Sequence, residues 1–188
     1  MKNFFPALRG AETLPYGLRD VKLTPYLTAT TLATTSVDLP NSRTFSFEEA
    51  EEFEELRGDD KVVATVGKGA SVSWELESGG IDLEAYQVMN GGTIVETGVT
   101  PATVRTYTKK TTDTRPEFKV EGQAISESGG DFHVVLYRAK ATDSLSGELS
   151  DGTFWLTSAS GSALPARLTG KTDVLYEFVE NDTAKAIA

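Results

Sequence analysis

Turn-forming residues recur along this chain at short intervals: Pro40-Asn41, Gly58-Asp59, Gly79-Gly80, Gly91-Gly92, Gly129-Gly130, Asp151-Gly152 and Gly161. The segments between them are short and rich in Val, Thr, Ile, Phe and Tyr, residues whose branched or aromatic side chains fit a pleated surface. That cadence predicts a mainly β fold, a sandwich or barrel. Strands are expected at 21–27, 61–66, 71–77, 93–97, 103–109, 117–125, 132–141, 153–160 and 173–180. In VSWEL, Val72, Trp74 and Leu76 share one face and Ser73 and Glu75 the other, as in a sheet buried on one side. Phe154 and Leu156 likewise oppose Thr153, Trp155 and Thr157. The small-residue runs at 28–36 and 158–163 read as loops or loop edges.

One segment departs from period two. IDLEAYQVMNGG, 81–92, places Ile81, Ala85, Val88 and Met89 at helical spacing. Acids stand in its first turn and Asn90-Gly91 at its end, so a short helix packed on the sheet is expected. A chain of 188 residues suits a single domain over 1–188. The ends, 1–15 and 181–188, carry no turn or period signal and read as arms or tails.

Residues 47–61, FEEAEEFEELRGDDK, put eight carboxylates into fifteen positions with only Arg57 and Lys61 to offset them. Two readings compete. Ser46 and Glu49 form a capping box, and Ala50, Phe53 and Leu56 lie on one helical face. Against that, RTFSF at 43–47 enters as a strand, and Gly58-Asp59-Asp60 before KVVATV looks like the tip of a long hairpin. Local rules slightly favour the helix.

Chemistry finds little footing. Net charge is −10, which opposes any binding that works by neutralising phosphates. There is no cysteine, so disulfides and thiolate metal sites are excluded. His133, the single histidine, sits in FHVVLY and reads as a satisfied strand residue. VGKGAS at 66–71 lacks the first glycine of a phosphate loop, since position 62 is Val62, and reads as a hairpin turn. No catalytic, cofactor-binding or metal-ligating set is identified, and the chain reads as a non-enzyme. The opening residues lack the apolar run of a signal peptide, and no stretch reaches bilayer-spanning length. A soluble cytosolic chain without membrane insertion is expected.

Four blocks carry a family resemblance: YGLRDVKLTPYL (16–27), FEELRGDDKVVATVGKGASVSWELESGGIDLEAYQVMNGGTIVETGVTP (53–101), RPEFKVEGQAISESGGDFHVVLYRAKATD (115–143) and DGTFWLTSASG (151–161). In their order and spacing they resemble the major tail tube proteins of long, non-contractile-tailed bacteriophages, especially those infecting actinobacteria. The resemblance spans about 16–181.

It implies a virion protein, made in the host bacterial cytoplasm. The implied fold is a β-sandwich with a flanking helix, assembled as hexameric rings that stack into a helical tube. Inner strands of the six copies would join into one barrel, closing every sheet edge between subunits. Its partners would be further copies of itself, a tape-measure protein, a tail terminator and baseplate or tail-tip proteins. DNA would pass through the lumen without specific binding.

By the same resemblance, residues 47–57 become strand. The loop around Leu56, Arg57, Gly58, Lys61 and Val62, together with the terminal arms, would bridge successive rings. The acids Glu49, Glu51, Glu52, Glu54, Glu55, Asp59 and Asp60 would line the lumen or the ring seam, so that phosphates meet like charge. Alternatively they form a solvated edge that discourages premature strand pairing. The rival class is a carbohydrate-binding or adhesive β-sandwich module presenting Trp155 or Tyr107 as a stacking platform.

Overall fold

The computed structural model describes residues 13–143 and 149–187. The fold is mainly β with one short helix among these residues. In chain order the strands are β1 (Pro15–Thr28), β2 (Thr31–Leu32), β3 (Val37–Asp38), β4 (Ser42–Gly58) and β5 (Lys61–Gly79). Helix α1 (Leu83–Asn90) follows, then β6 (Thr93–Thr97), β7 (Val104–Thr108), β8 (Phe118–Ser126), β9 (Asp131–Ala141), β10 (Leu156–Ala163) and β11 (Glu177–Asn181).

All pairings are antiparallel. The main sheet runs β2-β1-β8-β9-β10-β5-β4, with β3 beside β1 and β11 beside β9; β6 and β7 form a separate ribbon. Although β1 and β4 stand near opposite ends of that order, they pack against each other, so the sheet curls over a single core. Val21 and Leu23 from β1 meet Val72, Trp74 and Leu76 from β5, Phe118 and Val120 from β8 and Leu136 from β9. Trp74 stands edge-on to Phe118 with ring centroids 5.7 Å apart, a geometry favoured by the ring quadrupoles.

Helix α1 closes one side of this core with Ala85, Val88 and Met89. Asp82 caps it by accepting from the Glu84 N–H at 2.8 Å, and Gly91, at φ 73°, ends it. Ile81 precedes the first turn and is exposed rather than part of the buried face.

Period two wins over the capping box at 46–57. A helix would send Phe45 and Phe47 to different sides, whereas a strand sends both to the core, opposite Leu76 and Trp74. The expected strands at 61–66 and 71–77 are one strand, β5, and VGKGAS is not a turn. Opposite Glu52, between the pairs Glu51–Ala70 and Phe53–Gly67, β5 carries two residues, Lys68 and Gly69. This is a β-bulge, with Gly69 at φ 98° supplying the left-handed residue.

The expected loop at 158–163 is also strand. Thr157, Ala159, Gly161 and Ala163 are its buried face. Side chains here are small because the neighbouring backbone is close: a Cβ on Gly161 would lie 2.0 Å from the Lys140 carbonyl oxygen. The alternation expected around Phe154 therefore runs in the opposite sense, with Phe154 itself outside the strand and 94% exposed. Strand β11 is shorter than expected because Leu175 and Tyr176 turn in to pack against the core as loop residues.

The C-terminal residues, expected as an arm or tail, are seated on the body of their own chain. Ile187 is buried, Lys22 Nζ donates to its carbonyl at 2.7 Å, and Lys185 is held at both its N–H and its C=O. Of the N-terminal arm, 1–12 lie outside the described residues, and β1 already begins at Pro15.

Because the Gly161 contact is with backbone, which cannot yield, Gly161→Ala should lower unfolding free energy by about 1–3 kcal/mol. Urea denaturation of the two proteins measures it, with Ser160→Ala on the outer face as the control expected to change little.

Candidate functional site

The feature that the core does not explain is the β4–β5 hairpin. Its root is well held. Phe47 packs on Tyr176 and Phe178, with ring centroids 5.7 and 5.5 Å away, and the Tyr176 hydroxyl donates to Glu49 Oε2 at 2.5 Å. Beyond Glu49 and Val72 the ribbon leaves the body. From Ala50 to Gly69 every residue is exposed, including Phe53, Leu56, Val62, Val63 and Val66. At roughly 3.3 Å per residue the free part reaches about 30 Å.

The expected hairpin tip is confirmed at Asp59-Asp60, both with positive φ, 50° and 60°. That is the conformation of a type I′ turn, which suits the right-handed twist of the ribbon and which aspartate tolerates better than most residues.

The carboxylates are distributed by strand rather than by face. Glu48, Glu49, Glu51, Glu54 and Glu55 all lie on β4, and the residues opposite them are Ser73, Val72, Ala70, Val66 and Thr65. No glutamate has an acid directly across from it, so the strongest cross-strand repulsion is avoided. Arg57 pairs with Glu55 at 2.8 Å and Lys68 with Glu54 at 3.2 Å. These are exposed pairs of small energetic weight.

The two edges of the ribbon therefore differ. The outer edge of β4 is acidic, while β5 carries Val62, Val63, Ala64, Thr65 and Val66 between Lys61 and Lys68 and, among the described residues, has no strand on its other side over 61–71, since β10 pairs only with 72–79. An unpaired, acid-free edge with a β-branched stretch is a template for another strand.

Nearer the body, the outer faces of β4, β5 and β10 form a carpet of Ser46, Glu48, Ser73, Glu75, Ser160 and Ser162. A shallow polar groove runs over it, with Asp143 at its rim. Among the described residues no cluster of three or more His, Asp and Glu side chains could hold a metal ion. No helix among them is long and apolar enough to cross a membrane.

Sequence reasoning missed one ordered polar assembly, on the face of the sheet opposite the core. His133 Nδ1 lies 2.7 Å from Glu121 Oε1 and Nε2 lies 3.1 Å from Asp131 Oδ2. Asp131, fully buried, also accepts from Gln123 Nε2, Asn181 Nδ2 and the Lys185 N–H at 2.6, 2.7 and 2.7 Å. Burial alone would raise its pKa, but these bonds hold it well below the usual carboxylate range. Burial pulls His133 down, yet its two carboxylate partners prevail and raise it. Glu121 is lowered, its burial outweighed by His133 and by Lys119 at 2.5 Å. The available signal was polar residues in phase on two adjacent expected strands, Glu121 and Gln123 on one and His133 on the other.

Trp155 and Tyr107, the expected stacking platform, are half-buried. The Trp155 indole donates to the Tyr86 hydroxyl at 3.3 Å, and Tyr107 packs on Tyr86 and donates to the Gly91 carbonyl at 2.7 Å. Both rings serve to seat α1.

No protein-family model matches the chain, and no curated protein matches it.

Since nothing in the core rests on the distal ribbon, replacing 51–70 by Asn-Gly, directly between the paired Ala50 and Ser71, should leave a folded body. Its thermal midpoint, followed by circular dichroism, is expected within about 5 °C of the parent.

Proposed function

We propose that this chain is the repeating subunit of a phage tail tube, self-assembling into stacked rings, with the β4–β5 hairpin as the element that joins copies. The observation that carries the reading is the hairpin itself: a long ribbon, rooted in the core and apolar along one unpaired edge, that the folded subunit does not use. An isolated protein gains nothing from such an exposed edge and risks aggregation. A subunit that closes the edge against another copy turns it into an interface, and the family resemblance of the sequence points to that use.

In this reading the Ser and Glu carpet of β4, β5 and β10 faces the bore. Carboxylates repel phosphates, small hydroxyls present no apolar surface to the bases, and DNA slides without being held. The acidic edge of β4 keeps free subunits from pairing through the wrong strand before assembly. A tape-measure protein, a tail terminator and tail-tip proteins are the further partners proposed, and the virion is the proposed location.

Negative-stain microscopy of the concentrated protein, with sedimentation alongside, tests this. Rings or tubes of uniform width are expected. A persistent monomer that is retained on a glycan column would overturn the reading in favour of an adhesive module. Within assembled tubes, changing Glu48 and Glu75, the acids of that carpet, to Lys should slow DNA release at low salt, with the difference shrinking as salt screens the charges. Unchanged release in low salt would remove these residues from the bore.

A further inference from the structure

We propose that His133 is a protonation-controlled latch for the C-terminal segment: with the imidazolium in place residues 182–187 are locked on the back of the sheet, and loss of its proton frees them. The inference stands apart from the proposed function and rests on the subunit alone.

The geometry requires two N–H groups on the ring. Both nitrogens face carboxylates, Glu121 at 2.7 Å and Asp131 at 3.1 Å, and a neutral imidazole carries only one proton. In the neutral ring the proton stays on Nδ1, toward the shorter contact. The bare Nε2 lone pair is then set against Asp131 Oδ2.

That oxygen is the anchor of the segment, because it also accepts the Lys185 N–H. The remaining hold is slight: Gln123 Nε2 on the Lys185 carbonyl at 2.9 Å, Lys22 Nζ on the Ile187 carbonyl at 2.7 Å, and the buried Ile187 side chain. Residues 182–186 are otherwise exposed.

Charge balance points the same way. Around the ring stand Glu121 and Lys119 from β8 and Asp131 from β9. On β1, Asp20 and Lys22 are in register with Gln123 and Glu121, and burial together with Asp38 of β3 raises the pKa of Asp20. Arg19 and Lys185 line the groove beside them. Lys119 answers Glu121, so Asp131, fully buried, has the imidazolium as its bonded counter-charge; neutral His133 leaves it with dipoles only. The raised pKa of His133 sets the window. The contribution is complete below about pH 6.5, the ordinary histidine value, and is lost as pH rises through the higher folded value.

Because His133 is the only histidine, its imidazole NMR signals titrate without ambiguity. Hydrogen exchange of the Lys185 amide, corrected for intrinsic rate, is followed between pH 5.5 and 9 beside Trp74 and Ala159 in the core. The expected result is a loss of Lys185 protection by about tenfold for each unit by which locking the segment raises His133, at the midpoint of the ring titration, with Lys185 protection staying below that of the core amides throughout, as local opening requires. His133→Gln should expose Lys185 at every pH. Flat Lys185 protection across the titration would overturn the latch, as would Lys185 protection equal to that of the core amides at every pH or wild-type pH dependence in the variant. Should the variant fail to fold, the wild-type titration decides alone.

Discussion

One covalent strand, β5, lives in two environments, and the rest of the molecule is arranged around that fact. Its C-terminal half, Val72 to Gly79, sits between β4 and β10 and sends Val72, Trp74 and Leu76 into the core. Its N-terminal half, Lys61 to Ser71, has β4 as its only paired neighbour. The burial of three large apolar side chains, each contributing roughly 1.5–3 kcal/mol, fixes the direction in which the outer half leaves the body. The bulge at Lys68-Gly69 then re-aims it without breaking the pairing. Tyr176 and Phe178, arriving from far along the chain, brace the root at Phe47 and Glu49.

The same arrangement explains how so dense a run of acids is tolerated. Had the glutamates been shared between the two strands, like charges would have faced each other at the closest cross-strand distance. Confined to β4, none faces another acid across the ribbon, and water meets them at the edge. The cost falls on the edge alone, where like charge repels another strand. Confinement also leaves the β5 edge free of acids over 61–71, so the two sides of one hairpin differ in what they repel.

Much of the fold was legible because period two is a strong local signal. The Val72, Trp74 and Leu76 face, the β6 strand and the capped helix follow from residues close in sequence. The errors come from contacts that are distant in sequence. Ser158 to Ala163 reads as a loop by composition, but a small face is what close packing on Lys140 requires. The glycines at 67 and 69 read as a turn, although a bulge uses the same residues for a smaller change of direction. Residues 46–57 follow helix rules locally, and only the demand that Phe45 and Phe47 reach one core decides for strand. The seat of the C-terminal residues was not legible, since it depends on Asp131, Gln123 and Lys22 meeting across three strands.

The proposal that copies join at the β5 edge of the hairpin can be put to hydrogen exchange over 61–70, in dilute solution and at the highest concentration the protein reaches. Joining there requires fast exchange in the dilute protein and protection that grows with concentration, confined at first to this ribbon while core amides are unchanged. Exchange over 61–70 that is identical at both concentrations would contradict it.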